Sequence, residues 1–123
     1  MITLDIASPV PPFEQVRAQL ADLVRSGELP GGHKLPSIRQ LAGDLRIAPG
    51  TVARAYGALE ADGLIASSRA SGTRVRDGQA LSAELGDAAA QYVTAAQQGD
   101  ATLEAALSAV RAAWELALRN RPR

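Results

Sequence analysis

Apolar and polar positions alternate or recur along this chain with two periods, and each period predicts an element. From Ile2 to Ile6 the chain alternates, with Ile2, Leu4 and Ile6 against Thr3 and Asp5, which predicts a short half-buried strand. Prolines follow between Pro9 and Pro12, and proline suits the first turn of a helix, where its missing N–H is no loss. Phe13, Val16, Leu20, Leu23 and Val24 then fall at helical spacing and predict a first helix over about 13–26. Gly27 ends it, and Leu29-Pro30-Gly31-Gly32 reads as a turn. A second helix opens at Ser37, where Ser37 and Gln40 form a capping box, and Ile38, Leu41, Ala42 and Leu45 make its apolar face. After the tight segment Arg46-Ile47-Ala48, Pro49 stands at the first position of a third helix over about 49–62. Val52, Ala55, Tyr56 and Leu59 face inward from it, and Gly63 stops it.

Two short strands come next, Leu64 to Ser68 and Thr73 to Arg76, joined by the polar tip Arg69-Ala70-Ser71-Gly72. Asp77-Gly78 marks a boundary between a first region, 1–77, and an alanine-rich helical region, 78–123. In the second region Leu81, Leu85, Ala88 and Tyr92 lie 4, 3 and 4 residues apart. Gly99 interrupts the pattern and Asp100 is placed to cap a new helix. Leu103, Leu107, Val110, Trp114 and Ala117 then repeat the spacing as 4, 3, 4 and 3. Two such stripes predict a helical hairpin, with the last residues, Asn120 to Arg123, frayed. The fold class expected is therefore mainly α with a small β-hairpin wing: a winged helix-turn-helix followed by a two-helix tail.

Charge sharpens the picture only through its distribution. The 123 residues carry no net charge, with 13 basic and 13 acidic side chains. Residues 34 to 76 nevertheless hold seven basic against three acidic, and the remainder six against ten. The positive charge sits where the helix-turn-helix and wing are predicted. There is no cysteine, so disulfides, thiolate zinc sites and cysteine nucleophiles are excluded. His33, the sole histidine, lies in a Gly-Gly turn without the partners a metal needs, and reads as structural. No glycine-rich phosphate loop, histidine-based triad or metal set is present, so no catalytic residue, metal or cofactor is expected and an enzyme is the weakest class. Glu60 and Asp62 read as a solvated helix end, and Lys34 as a surface charge in a turn, with a phosphate contact as the alternative. The start of the chain lacks a basic segment followed by a long apolar run, and no stretch is apolar enough to span a bilayer. A cytoplasmic protein without membrane contact is expected.

A helix, a three-residue turn and a second helix is the arrangement that lays a recognition helix in the major groove with its first residues at base edges. Here that helix presents Gly50, Thr51, Arg54 and Ala58 outward, and Arg54 is the one long donor among them. Arg69 and Arg74 on the hairpin are placed to reach phosphates or a minor groove.

At these residues the sequence resembles the GntR family of bacterial transcriptional regulators. The resemblance is carried by Pro12-Phe-Glu-Gln-Val16, by Gly27 through Ala42 with its Leu35-Pro-Ser-Ile-Arg39, by Thr51-Val-Ala-Arg-Ala-Tyr56, by Leu59 through Ile65, and by Gly72-Thr73. It implies a winged helix-turn-helix in which Arg39 contacts DNA, Pro49, Gly50 and Thr51 open the recognition helix against it, and Gly72 and Thr73 of the wing lie near the backbone or minor groove. The chain departs from the family pattern at Arg46, where glycine is usual, at Ala53, where arginine is frequent, and at Ala70, where the first wing glycine stands. The short remainder after Val75 resembles the YtrA-like subfamily, whose helical tail dimerises and whose members repress genes.

The expectation is thus a sequence-specific regulator that binds a palindromic operator in double-stranded DNA as a homodimer and represses transcription. Leu81, Leu85, Tyr92, Leu103, Leu107, Val110 and Trp114 are the expected dimer contacts, because leaving such stripes in water is costly. A small-molecule effector is left unassigned. The rival from another class is a winged helix used as a protein-interaction module, with no operator.

Overall fold

The computed structural model describes residues 2–122, so Met1 and Arg123, the outer ends of the two predicted regions, lie outside the described residues. The chain forms α1 (Pro12–Arg25), α2 (Ile38–Leu45), α3 (Pro49–Ala61), β1 (Ile65–Ser68), β2 (Gly72–Val75), α4 (Ala83–Gln98) and α5 (Leu103–Arg119). It is mainly helical, with one antiparallel hairpin. Two compact units are present, one running through Leu81 and one from Ser82 onward. Among the described residues no helix is long and apolar enough to cross a membrane.

The first unit is built on its apolar periodicity. Val16, Leu20 and Val24 of α1, Leu41 and Ala42 of α2, Val52, Ala55, Tyr56 and Leu59 of α3, and Ile65 and Val75 of the hairpin form one buried cluster. Burying side chains of this size stabilises the fold by roughly 1.5–3 kcal/mol each, which is what sets the helices on one another. α3 is the centre, packing against α1, α2 and β1. Glu14 in the first turn of α1 pairs with Arg17, and that bond holds the Glu14 carboxyl below the usual carboxylate range.

Local chemistry fixes the helix ends. Ser37 caps α2, its hydroxyl accepting from the Gln40 N–H at 3.1 Å. The return bond expected of a capping box, from the Gln40 side chain, is absent among the described residues. α2 ends at Arg46, which takes the left-handed conformation with φ 56° and ψ 47° while its N–H reaches the carbonyls of Ala42 and Gly43. Ala42, 2% exposed, lets the turn close under α3. Pro49 opens α3, as its ring predicts, and Gly63, with φ +78°, carries the chain out of it.

The hairpin pairs Ile65 with Val75 and Ser68 with Gly72, so the tip is shorter than the sequence suggests. β2 is paired on both sides. Its other edge meets the turn before α2, where Leu35 N–H donates to the Thr73 carbonyl at 2.9 Å and Val75 N–H to that of His33 at 3.0 Å.

Residues 2–6 do not form the predicted strand. Alternation supplies a face but not a partner, and among the described residues no strand lies beside them. Instead the amide side chains of α1 take that place: Gln19 both donates to the Thr3 carbonyl and accepts from its N–H, and Gln15 does the same for Asp5. Ile2 and Leu4 still lean on the core, while Ile6 is fully exposed.

The second unit holds α4 and α5. Ser82 caps α4 by accepting from Leu85 N–H. The cap of α5 is Thr102, which accepts from Ala105 N–H, and not Asp100. Asp100 adopts φ 57° inside the turn, a geometry that makes it part of the reversal and leaves capping to the residue two places on. The Tyr92 hydroxyl donates to the Ala106 carbonyl at 2.8 Å and ties the two helices together. The closely packed element pairs all lie in the first unit, and neither tail helix buries a single residue.

Candidate nucleic-acid interface

Arg39 stands in the first turn of α2, outside the apolar stripe of Ile38, Leu41, Ala42 and Leu45, and is exposed. It borders an open groove of about 470 Å³ lined by Lys34, Leu35, Ser37, Ile38, Gly72 and Thr73. Two features of the fold make that groove. The backbone pairing of Leu35 with Thr73 draws the turn before α2 against the wing. The Tyr56 hydroxyl, donating to the Pro36 carbonyl at 2.8 Å, pins the same turn to α3. Tyr56 is 5% exposed, and burial pushes its phenol up to about 12.

Lys34, which reads from the sequence as a surface charge in a turn with phosphate contact as the alternative, bridges to Arg74 across the sheet edge, and its side chain lies along Gly72. A β-carbon on Gly72 would sit 3.2 Å from Lys34 Cε, and the φ of +73° at Gly72 itself disfavours a side chain. No sequence signal marks Lys34 as that neighbour, since the positive φ alone accounts for the glycine.

The wing divides its predicted residues by accessibility. Arg69 is exposed at the tip. Arg74 is engaged: its guanidinium donates to the carbonyls of Gly32 at 2.9 Å and Ser71 at 3.1 Å, stapling the wing to the Gly-Gly turn. Thr73 is half-buried, its hydroxyl 3.1 Å from that of Ser67. Glu60, read from sequence as a solvated helix end, accepts from Ser67 N–H at 3.3 Å and so links the end of α3 to β1.

At the opening of α3, Pro49 and Gly50 are exposed and Thr51 is half-buried. Ala48, at the cap position, offers no side-chain acceptor, so the positive end of the helix is left to solvent or a ligand. Nothing lies within 4 Å of the β-carbon position of Gly50 or Gly57. Ala58, expected outward, is half-buried, while Arg54 is exposed but does not extend freely. Its guanidinium carbon lies 3.7 Å over the Phe13 ring of α1. Sequence spacing gave the face of Arg54 but not this resting place.

The tail residues fall into two groups. Leu81 precedes α4 and belongs to the first unit, where its N–H donates to the Arg25 carbonyl at 2.7 Å. Leu85, Tyr92, Leu103, Leu107, Val110 and Trp114 lie on α4 and α5 and all are exposed, Leu103 at 74% and Trp114 at 68%. Val93, Leu116 and Leu118 add exposed apolar surface that the two stripes did not include. Among the described residues no three His, Cys, Asp or Glu side chains converge where a metal ion could sit.

Residues 12–75 match the family of bacterial regulatory proteins called the gntR family. Over 96 residues, 78% of this chain and 79% of the relative, the sequence is 38% identical to the HTH-type transcriptional regulator Rv1152 of Mycobacterium tuberculosis. A solved structure of YtrA from Sulfolobus acidocaldarius, a GntR-family transcription factor, is 32% identical and superposes with a TM-score of 0.59, covering 77% of this chain and 97% of that one. AraR(DBD), solved in complex with operator ORR3, is 25% identical with a TM-score of 0.52, over 59% of this chain and 88% of that one.

Proposed function

Since the chain belongs to the GntR family of bacterial regulatory proteins, we propose that it is a sequence-specific DNA-binding transcriptional regulator, a repressor that binds a palindromic operator as a homodimer. The observation that carries this reading is the groove in which Arg39 and Lys34 meet Gly72 and Thr73 of the wing. Two cations, two backbone turns and no carboxylate line it, which suits a phosphate-bearing duplex. The start of α3, with Pro49, Gly50 and Thr51, enters the major groove, and the small side chains there allow close approach. Arg39 reads a base edge, Lys34 neutralises a phosphate, and Arg69 reaches from the wing. Arg74 keeps the wing in place through its two carbonyl bonds and offers its remaining N–H groups to the backbone.

The first region, 1–77, is the DNA-binding domain and the second, 78–123, the dimerisation tail. Support for the tail comes from its exposure. Leu85, Leu103, Leu107, Val110 and Trp114 are apolar and uncovered, and an apolar groove of about 540 Å³ runs along Tyr92, Val110 and Trp114. Covering one such side chain is worth roughly 1.5–3 kcal/mol, and a two-fold pair is the commonest closed way to do it. Two subunits would then present two recognition helices to half-sites about 10 bp apart, or a multiple of that.

Selecting bound fragments from a random duplex pool with the purified protein tests the whole reading. An inverted repeat is the expected product. Retention of no duplex at low salt refutes DNA binding, and a single asymmetric site refutes the dimer. Full-length protein carrying Leu107→Glu and Val110→Glu is expected to sediment as one chain where the wild type sediments as two.

A further inference from the structure

Arg54 is the long cation of α3, and its geometry assigns it a more specific task than its position on the helix does. The guanidinium carbon lies 3.7 Å from the centroid of the Phe13 ring, so the cation rests over the aromatic face. A stacked guanidinium keeps its N–H groups in its own plane, pointing away from the ring, and the stack leaves them free to donate. Among the described residues the Arg54 side chain makes no hydrogen bond and no ion pair, and it is exposed. Phe13, by contrast, is half-buried in the first turn of α1, directly after Pro11 and Pro12, and α1 packs against α3. One partner is fixed and the other is mobile by nature. The ring therefore removes freedom from a side chain that otherwise has several rotatable bonds.

We infer that Phe13 is a positioning residue that holds the Arg54 guanidinium ready for a phosphate of the DNA backbone. This rests on the proposed DNA-binding function. The choice of phosphate over base follows from where the stack lies. The exposed line of α3 opens through Gly50, Ala53 and Gly57, and no long side chain stands on it before Glu60 near the far end. Arg54 is drawn off that line toward the first turn of α1. In helix-turn-helix docking the edges of base pairs lie beneath the exposed line of the recognition helix, and the sugar-phosphate strand lies beside it. A cation held to the side meets the strand. Two further consequences follow. The contact requires little ordering when DNA arrives, because the ring has already done it. It also carries no sequence preference.

A double-substitution cycle on the full chain tests this, with Phe13→Leu, Arg54→Ala and both, on the selected operator and on an unrelated duplex across a range of salt. Arg54→Ala is expected to weaken both duplexes by the same factor and to reduce the slope of log K against log salt by about one. Phe13→Leu is expected to weaken binding about two- to fivefold, the range of an exposed cation–aromatic contact, and to do nothing further once Arg54 is alanine. Phe13→Tyr, which keeps the ring, is expected to bind as the wild type does. In the free protein the Arg54 side-chain resonances should show an upfield ring-current shift that Phe13→Leu abolishes, a readout that general loss of packing does not imitate when melting temperatures match. Additive effects of the two substitutions would overturn the positioning role. Loss confined to one base position of the operator would overturn the phosphate assignment. Failure of the wild type to bind any duplex would instead refute the DNA-binding reading, and the inference with it.

Discussion

Replacing Tyr56 with phenylalanine removes one oxygen from the point at which α3 holds the turn leading into α2. The hydroxyl donates to the Pro36 carbonyl at 2.8 Å, and the residue is 5% exposed. Loss of such a bond costs about 1 kcal/mol net, and a carbonyl left without its partner costs about 1–3 kcal/mol when water is kept out. Pro36 is half-buried, so water reaches the vacated carbonyl in part and the expected loss is about 1–2 kcal/mol. Alkaline pH supplies a second arm. Burial raises the Tyr56 phenol from 10.0 to about 12. A folded-state value above the unfolded one means that the stability contributed by the neutral phenol is complete below pH 10 and is lost as pH rises toward 12. At about 1.4 kcal/mol per unit the loss across that window amounts to roughly 2–3 kcal/mol. Urea denaturation at one fixed protein concentration, at pH 7 and in steps from pH 9 to 12, measures both. Tyr56→Phe should unfold at lower urea at pH 7 and lose less stability above pH 10. An unchanged midpoint at pH 7, or an alkaline loss identical to that of the wild type, would refute the account of this bond.

Arg46→Gly should raise stability by about 0.5–1 kcal/mol in the same assay. The left-handed backbone costs a side chain roughly 1–2 kcal/mol, and the extra freedom of glycine in the unfolded chain returns about 0.4–1; an unchanged or lower midpoint counts against strain at this turn. Ser37→Ala should cost about 1 kcal/mol by removing the cap acceptor for Gln40 N–H, read as a lower thermal midpoint. Gly31→Ala should cost about 1–3 kcal/mol, because the new β-carbon would fall 2.9 Å from the backbone Cα of Asp77, which cannot swing aside as a side chain does. A melting temperature equal to that of the wild type would show that the segment after β2 yields without cost.

Much of the first unit is legible in the chain because it is local. The cap at Ser37, the proline at the head of α3, the tight segment at Arg46 and the inward set Val52, Ala55, Tyr56 and Leu59 each depend on residues within a turn or two of one another. The exposure of Arg39 follows in the same way, since it falls outside the apolar stripe of Ile38, Leu41, Ala42 and Leu45 on one short helix. The misplacements share a cause too. Residues 2–6 alternate correctly but a strand needs a neighbour, and the neighbour turned out to be the glutamine side chains of α1. Asp100 is a sound capping residue by type, yet the reversal between α4 and α5 uses its backbone instead.

What the amino acids determine by themselves is therefore the set of helices and, in the first unit, which face of each turns from water, because burial period and capping chemistry act over a few residues. Only the assembled first unit decides that Lys34 joins Arg39 beside the wing, that Arg74 spends its donors on the Gly32 and Ser71 carbonyls, and that Arg54 lies on Phe13. The physical reason is reach. A long cation has many resting places within its length, and which one it takes is settled in large part by groups such as Gly32 and Phe13 that the fold brings to its side from far along the chain.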